Sequence, residues 1–152
     1  MAVNPIPEGC PKIVAHLVCD GAAKAIEFYK KAFGATEVMR MPSPDGKVMH
    51  AEIKIHGHAI YVCDPMMGAK DPKALGGSPV TLSLWTEDVD STFKQAVEAG
   101  AEVTMPVENM FWGDRYGRVV DPFGHHWAIM MQIENLTPEQ IGERAKTAFA
   151  QG

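Results

Sequence analysis

Landmarks in this chain recur at a single spacing. Leu17 and Leu84, Ile26 and Phe93, and Gly57-His58 and Gly124-His125 each stand 67 positions apart. Gly34-Ala35-Thr36-Glu37-Val38 is also answered by Gly100-Ala101-Glu102-Val103. Agreement of separate landmarks on one offset implies a duplicated unit, and the unit can be read from either copy. In the first, Lys12 to Cys19 is β-branched enough for a strand and Asp20 is expected to cap a helix. Ala22, Ile26, Tyr29 and Phe33 then recur at spacings of four, three and four, the apolar stripe of a helix lying on a sheet. Gly34 stops the helix. Thr36–Met41, Val48–Ile55 and Ala59–Cys63 read as three further strands, with turns at Pro42–Gly46 and His56-Gly57. In the second copy Leu82–Trp85 is the strand, Asp88 the cap, and Val89, Phe93 and Ala96 the stripe.

The second copy ends in the densest stretch of the chain, Asn109 to Met130, read as an extended arm, a strand over Arg118–Val120, a turn and a return strand over His126–Met130. Asp121-Pro122-Phe123-Gly124 predicts the turn, because Pro presets φ at the second position and Gly tolerates positive φ. The expected architecture is α+β: two βαβββ modules, at 12–63 and 80–132, joined by a Gly, Pro and Met-rich linker at 64–79. One helix per module leaves the other sheet face bare, so the two sheets are expected to pair and curve around a shared cavity, the natural ligand site. A C-terminal helix over 137–149 follows, with Thr137 as N-cap, Pro138 at N1, Gln140 completing a capping box and Leu136 stapled onto Ile141.

Composition excludes several classes. The 152 residues can bury roughly 68–70% of their unfolded surface without staples. No apolar run approaches a membrane span, and no basic segment followed by an apolar one marks export, so a cytoplasmic protein is expected. Cys10, Cys19 and Cys63 form no C-x-x-C pair, which argues for free thiols rather than a disulfide framework or zinc knuckle. A net charge of −5 with no basic cluster longer than Lys30-Lys31 argues against nucleic acid.

The tandem repeat with its terminal Asp-Pro-Phe-Gly-His hairpin resembles the vicinal oxygen chelate superfamily, which includes glyoxalase I, extradiol dioxygenases and the bleomycin and fosfomycin resistance proteins. Four blocks resemble its PhnB-like subgroup more narrowly: Asp20–Ala22 leading to Ile26–Ala35, Gly46–Glu52, Phe111–Gly117 and Asp121–His125. The resemblance implies small-molecule binding and a homodimer. It also implies metal ligands on the first and last strands of each copy, at about Ile13, Thr81, Tyr61 and Ala128. Ile and Ala lack a donor atom, and a lone Thr or Tyr is a poor ligand, so the usual metal site is expected to be absent. A slip of two along the last strand would bring His126 onto the face of Ala128.

Candidate residues follow from strand alternation. His50 and Glu52, with Lys54, share a face, toward the cavity or solvent, while Met49, Ala51, Ile53 and Ile55 turn to the helix. A His-Glu pair can orient water, take a proton or donate two ligands to an unusual metal site, and it is the catalytic candidate. Tyr61, Ser83, Trp85 and His126 fall on cavity-facing positions, and Tyr61 and Trp85 suit a planar ligand. Trp112 can close over a ring and Arg115 can clamp a carboxylate or phosphate, although Asp114-Arg115 flanked by Gly also suits a loop pin. His16 shares a face with Val14 and Val18 and is expected in the core. His125 either bonds the hairpin or meets solvent, and Cys63 has no evident base to activate it. The expected function is therefore metal-independent binding of a small organic molecule, substrate-binding residues Tyr61, Trp85, Trp112, Arg115 and His126. The alternatives are a lyase, isomerase or dioxygenase holding Zn, Ni, Mn or Fe on His50, Glu52 and His126, and a drug-sequestering resistance protein.

Overall fold

The fold is a computed structural model describing residues 2–150. Its first module runs β1 (Ala15–Val18), α1 (Ala22–Phe33), β2 (Thr36–Pro42), β3 (Val48–Ile55) and β4 (His58–Cys63). The linker holds one helical turn, α2 (Pro72–Leu75), which its Gly/Pro content did not announce. The second module repeats the order with β5 (Thr81–Trp85), α3 (Val89–Ala99), β6 (Glu102–Asn109), β7 (Asp114–Val120) and β8 (His126–Gln132), and α4 (Pro138–Ala150) follows. Both modules form four-stranded mixed sheets, β1-β4-β3-β2 and β5-β8-β7-β6, each with one parallel pair at its edge. The architecture is the expected α+β tandem repeat with a C-terminal helix.

The helix stripes dictate the packing. Ala22, Ala25, Ile26, Tyr29, Ala32 and Phe33 of α1 are buried against β3 and β4, which present Ala51, Ile53, Ile55, Ile60 and Val62. Met49 is the exception to the predicted face, 39% exposed near the strand's start. The two sheets share no ladder; the modules join through α1 packed on α3 and through one continuous core. Phe33 and Tyr29 reach Trp127 of β8, with ring centroids 4.6 and 5.6 Å apart. Gln95 of α3 donates to the Lys31 carbonyl at 2.8 Å.

Three local expectations need correction. Asp20 does not cap α1: the N-cap is Gly21, with φ +91° and no side chain to offer. The acceptor comes from Asp64 at the end of β4, whose Oδ1 takes the Gly21 and Ala22 amides at 2.9 and 3.1 Å. Second, the extended arm before the last strands is a hairpin of β6 and β7 closed by Met110–Gly113, where the Gly113 amide donates to the Met110 carbonyl. Third, β1 is four residues long, and His16 is exposed while Leu17 is buried, so His16 is not a core histidine.

Other local signals are realised. Asp88 accepts from the Ser91 amide at 3.0 Å, and Thr137 and Gln140 make reciprocal side-chain-to-amide bonds of 2.9 and 3.2 Å. Helix α4 buries no residue; it leans on the β6–β7 hairpin through Phe149 against Phe111 and pairs with the segment after β8 through Arg144 against Glu134. Gly117 marks the tightest approach of α3 to its sheet: a Cβ there would lie 2.7 Å from Phe93 and 2.8 Å from Val107. Gly117→Ala is therefore expected to destabilise by roughly 1–3 kcal/mol through overpacking, read as a lower urea midpoint; an unchanged midpoint would mean that Phe93 yields freely.

Candidate functional site

Because paired residues in a sheet point the same way, the strand registers define what each bare face carries. On the first sheet His16 pairs with Tyr61, Tyr61 with Glu52, and Met41 with His50. All stand on the face away from α1. The rings of His50 and Tyr61 are 4.8 Å apart, His16 and His50 5.7 Å, and His16 and Tyr61 5.9 Å, each edge to face. The sequence-derived pair His50 and Glu52 is thus joined by Tyr61 and by His16. Sharing a face with Val14 and Val18 points His16 to the core, whereas in the edge strand β1 it is Leu17 that is buried and His16 that faces outward.

The N-terminal segment 7–11 folds over one end of this cluster and encloses, with Glu52, Lys54 and Tyr61, a cavity of about 480 Å³. Cys10 Sγ lies 3.9 Å from the Tyr61 hydroxyl. Its hydrogen bond, then the nearby thiol's charge, desolvation and Glu52, hold the Tyr61 hydroxyl above its ordinary pKa of 10.0, so the phenol is a donor at neutral pH. Partial desolvation, then repulsion from His50, holds the His16 imidazole below 6.5. The folded state then binds this proton more weakly than the unfolded chain does. Stability is full above pH 6.5 and declines as pH falls from 6.5 toward the lowered folded value. His16→Gln is expected to flatten that part of the urea midpoint against pH; an unaltered slope would assign it to another group.

On the second sheet the equivalent face carries Thr81, Ser83 and Trp85 of β5, Tyr116 and Arg118 of β7, and His126 of β8. Trp85 is 56% exposed. Trp112 joins this face from the hairpin turn, 5.5 Å from the Tyr116 ring with Nε1 donating to Asp114 at 2.8 Å. Arg115 does not join it. Adjacent to Tyr116 in the strand, it points to the helix side, where Nε and Nη2 donate to Asp90 at 2.9 and 2.8 Å and Nη1 donates to Asn109 at 2.9 Å. Asp90 is held below the usual carboxylate range by this guanidinium. Arg115 thus ties the first turn of α3 to the hairpin.

The modules also meet around cavities at their seam. One of about 380 Å³ is lined by Ala15, Ile55 and Ile60 of the first module and Leu82, Leu84 and Trp127 of the second, with His56, His58 and Trp85 among its walls. Another, of about 320 Å³, brings His16 together with His126. His125 bonds the Val18 carbonyl through Nε2 at 2.8 Å, fastening the second module's turn to the end of β1.

The donor chemistry for a metal is poor at the positions the resemblance indicates. Ile13 is 93% exposed ahead of β1, Ala128 has no donor atom, and the Thr81 hydroxyl is engaged by Arg118 at 2.7 Å. Among the described residues no three His, Cys, Asp or Glu side chains are grouped to hold an ion. The residues present do not fit the usual ligand set. His126 lies on the other sheet from His50 and Glu52.

Comparison with known proteins agrees with the architecture. An uncharacterised protein of Mycobacterium bovis is 46% identical over 146 residues, covering 93% of both chains. The crystal structure of an Arabidopsis thaliana gene product is 32% identical, with TM-score 0.65 over 79% of this chain and 98% of that one. TioX from Micromonospora is 25% identical, with TM-score 0.64 over 84% of this chain and 100% of that one. A family profile described as the Glyoxalase/Bleomycin resistance protein/Dioxygenase superfamily matches residues 13–129. With a duplicated βαβββ unit and a match running from β1 to β8, the chain belongs to the glyoxalase/bleomycin resistance protein/dioxygenase superfamily.

Proposed function

We propose that this is a metal-independent, small-molecule-binding member of the superfamily, of PhnB-like type, whose ligand sits on the bare sheet faces. The observation that carries this reading is the mutual edge-to-face contact of His16, His50 and Tyr61 beside Glu52. Two imidazoles, a protonated phenol and a carboxylate on one accessible face can orient a polar planar molecule and exchange a proton with it. The seam cavity behind Trp127 is walled chiefly by apolar side chains and offers less to steer a reaction. PhnB-like type is supported by the four sequence blocks, and by a fold shared with a Bacillus cereus protein described as PhnB.

A homodimer is the assembly we propose. Met39, Met41 and Trp85, exposed by 37, 44 and 56%, stand on the same bare faces and favour cover by a second copy. No helix of the described residues is long and apolar enough to cross a membrane, and a cytoplasmic location completes the reading. A thermal-shift panel of planar aromatic compounds tests it, using wild type, His50→Ala and Tyr61→Phe. Binding that weakens about tenfold or more in both variants is expected, the scale of one lost hydrogen bond to a polar ligand. Equal shifts in all three proteins would move the ligand to the seam cavity. Stoichiometric zinc, nickel, manganese or iron retained by wild type and lost in Glu52→Ala would favour the metalloenzyme instead.

A further inference from the structure

Arginine pairing divides the chain's four guanidinium groups. Arg40 pairs with Glu37, Arg115 with Asp90 and Arg144 with Glu134. Arg118 has no carboxylate within 4.0 Å among the described residues, although it is the one set into the interior of a central sheet face. Its Nη2 donates to Thr81 Oγ1 at 2.7 Å, and its Nε is buried with no acceptor. On a half-buried, permanently charged group, a buried donor with no acceptor is unfavourable unless one arrives.

The repeat does not require arginine at this place. Arg118 pairs with Ala128, which pairs with Ser83; in the first module the matching positions are Glu52, Tyr61 and His16. A carboxylate there and a guanidinium here give the two faces opposite character. On the same face Tyr116 stands two residues before Arg118 and His126 pairs with Thr81, and Thr81 holds the guanidinium in one orientation, so little side-chain freedom is lost when a ligand binds.

We propose that Arg118 is the centre of an oxyanion subsite: the small molecule of the reading above, on which this inference rests, carries a carboxylate or phosphonate group next to a planar ring. The guanidinium fork meets the oxyanion through charge-assisted hydrogen bonds, and Tyr116 and His126 offer faces to the ring. The test measures binding of benzoate, phenylphosphonate and neutral benzamide by calorimetry to the full chain. Wild type is compared with Arg118→Gln, Arg118→Lys and, as a control for lost surface charge, Arg40→Gln.

The expected result is that at least one oxyanion binds more tightly than benzamide, and that Arg118→Gln weakens it about tenfold or more. Arg118→Lys, which keeps the charge and loses the fork, is expected to fall between, and supports the subsite even if the Gln variant does not fold. Arg40→Gln should match wild type. Preference for benzoate identifies a carboxylate ligand and preference for phenylphosphonate a phosphonate or phosphate. Equal oxyanion affinity in wild type and both Arg118 variants overturns the subsite. Benzamide binding as tightly as either oxyanion, with sensitivity to His50→Ala, overturns the subsite and leaves the proposed function standing. Silence of all three probes overturns both.

Discussion

Asp121→Ala is expected to lower stability by roughly 4–6 kcal/mol, the sum over several buried donors left without an acceptor. Asp121 is 4% exposed and accepts four bonds. Oδ1 takes the Phe123 and His125 amides at 2.9 and 3.0 Å, locking the turn; Oδ2 takes the Tyr29 hydroxyl at 2.6 Å and Trp127 Nε1 at 3.0 Å. One carboxylate therefore shapes the hairpin of the second module and clamps α1 of the first onto β8. Losing it separates the modules as well as loosening a turn. Domains of this size typically hold only about 5–15 kcal/mol, so the variant should sit at the edge of folding. The check is a urea melt of the variant beside Tyr29→Phe, which removes one bond and should lose about 1–2 kcal/mol. An Asp121→Ala loss no larger than that of Tyr29→Phe would mean that the other three donors find water.

Asp64→Ala is expected to be nearly as severe, roughly 3–5 kcal/mol for three amides, two of them buried. Besides the Gly21 and Ala22 amides at the start of α1, Asp64 accepts the Val48 amide on Oδ2 at 2.8 Å, and its own amide donates to the Val48 carbonyl at 2.9 Å. The residue caps a helix, closes a strand end and sits 5% exposed while doing both. A negative charge against a helix N-terminus adds to the effect. Hydrogen exchange of the first turn of α1 reads this directly: Ala25, bonded to the Gly21 carbonyl, should lose protection well before the core of β3. Uniform loss across the chain would instead make Asp64 a global linchpin.

The contrast between these two aspartates marks what a linear sequence exposes. The role of Asp121 in the turn is local and was legible from Asp-Pro-Phe-Gly; its second oxygen, which bridges 92 positions to Tyr29, was not. In sequence Asp64 reads as the first residue of a linker and Asp20 as the cap, because capping preferences describe neighbours in the chain. Helix stripes were legible because their period is set by the helix itself. The face of β3 was legible because eight residues alternate. The faces of β1 and β7 are not: Lys12–Cys19 reads as one long strand with His16 on the core side, whereas only Ala15–Val18 form β1, and β7 is entered only at Arg118, leaving Asp114 to Gly117 without a parity. That missing parity made Arg115 look like the ligand clamp when Arg118 holds the accessible face. Trp112, Trp85 and His126 do share the second sheet's bare face, while Tyr61 stands with His50 and Glu52 on the first.

On the proposed reading, that division gives the superfamily member two chemically distinct faces, one to exchange protons and one to hold negative charge and a ring. The shared core behind them, from Phe33 to Trp127, keeps their spacing fixed. The most direct test is a nuclear magnetic resonance titration with benzoate and phenylphosphonate, following the ring protons of Tyr116 and His126, on the face of Arg118, and the indole N–H of Trp127. The expected result is that Tyr116 and His126 shift together along a saturating curve while Trp127, 2% exposed on the helix side, stays still. A saturating shift of Trp127 with Tyr116 and His126 silent would place the ligand in the seam cavity that Trp127 lines and contradict the assignment of the bare faces as the binding site.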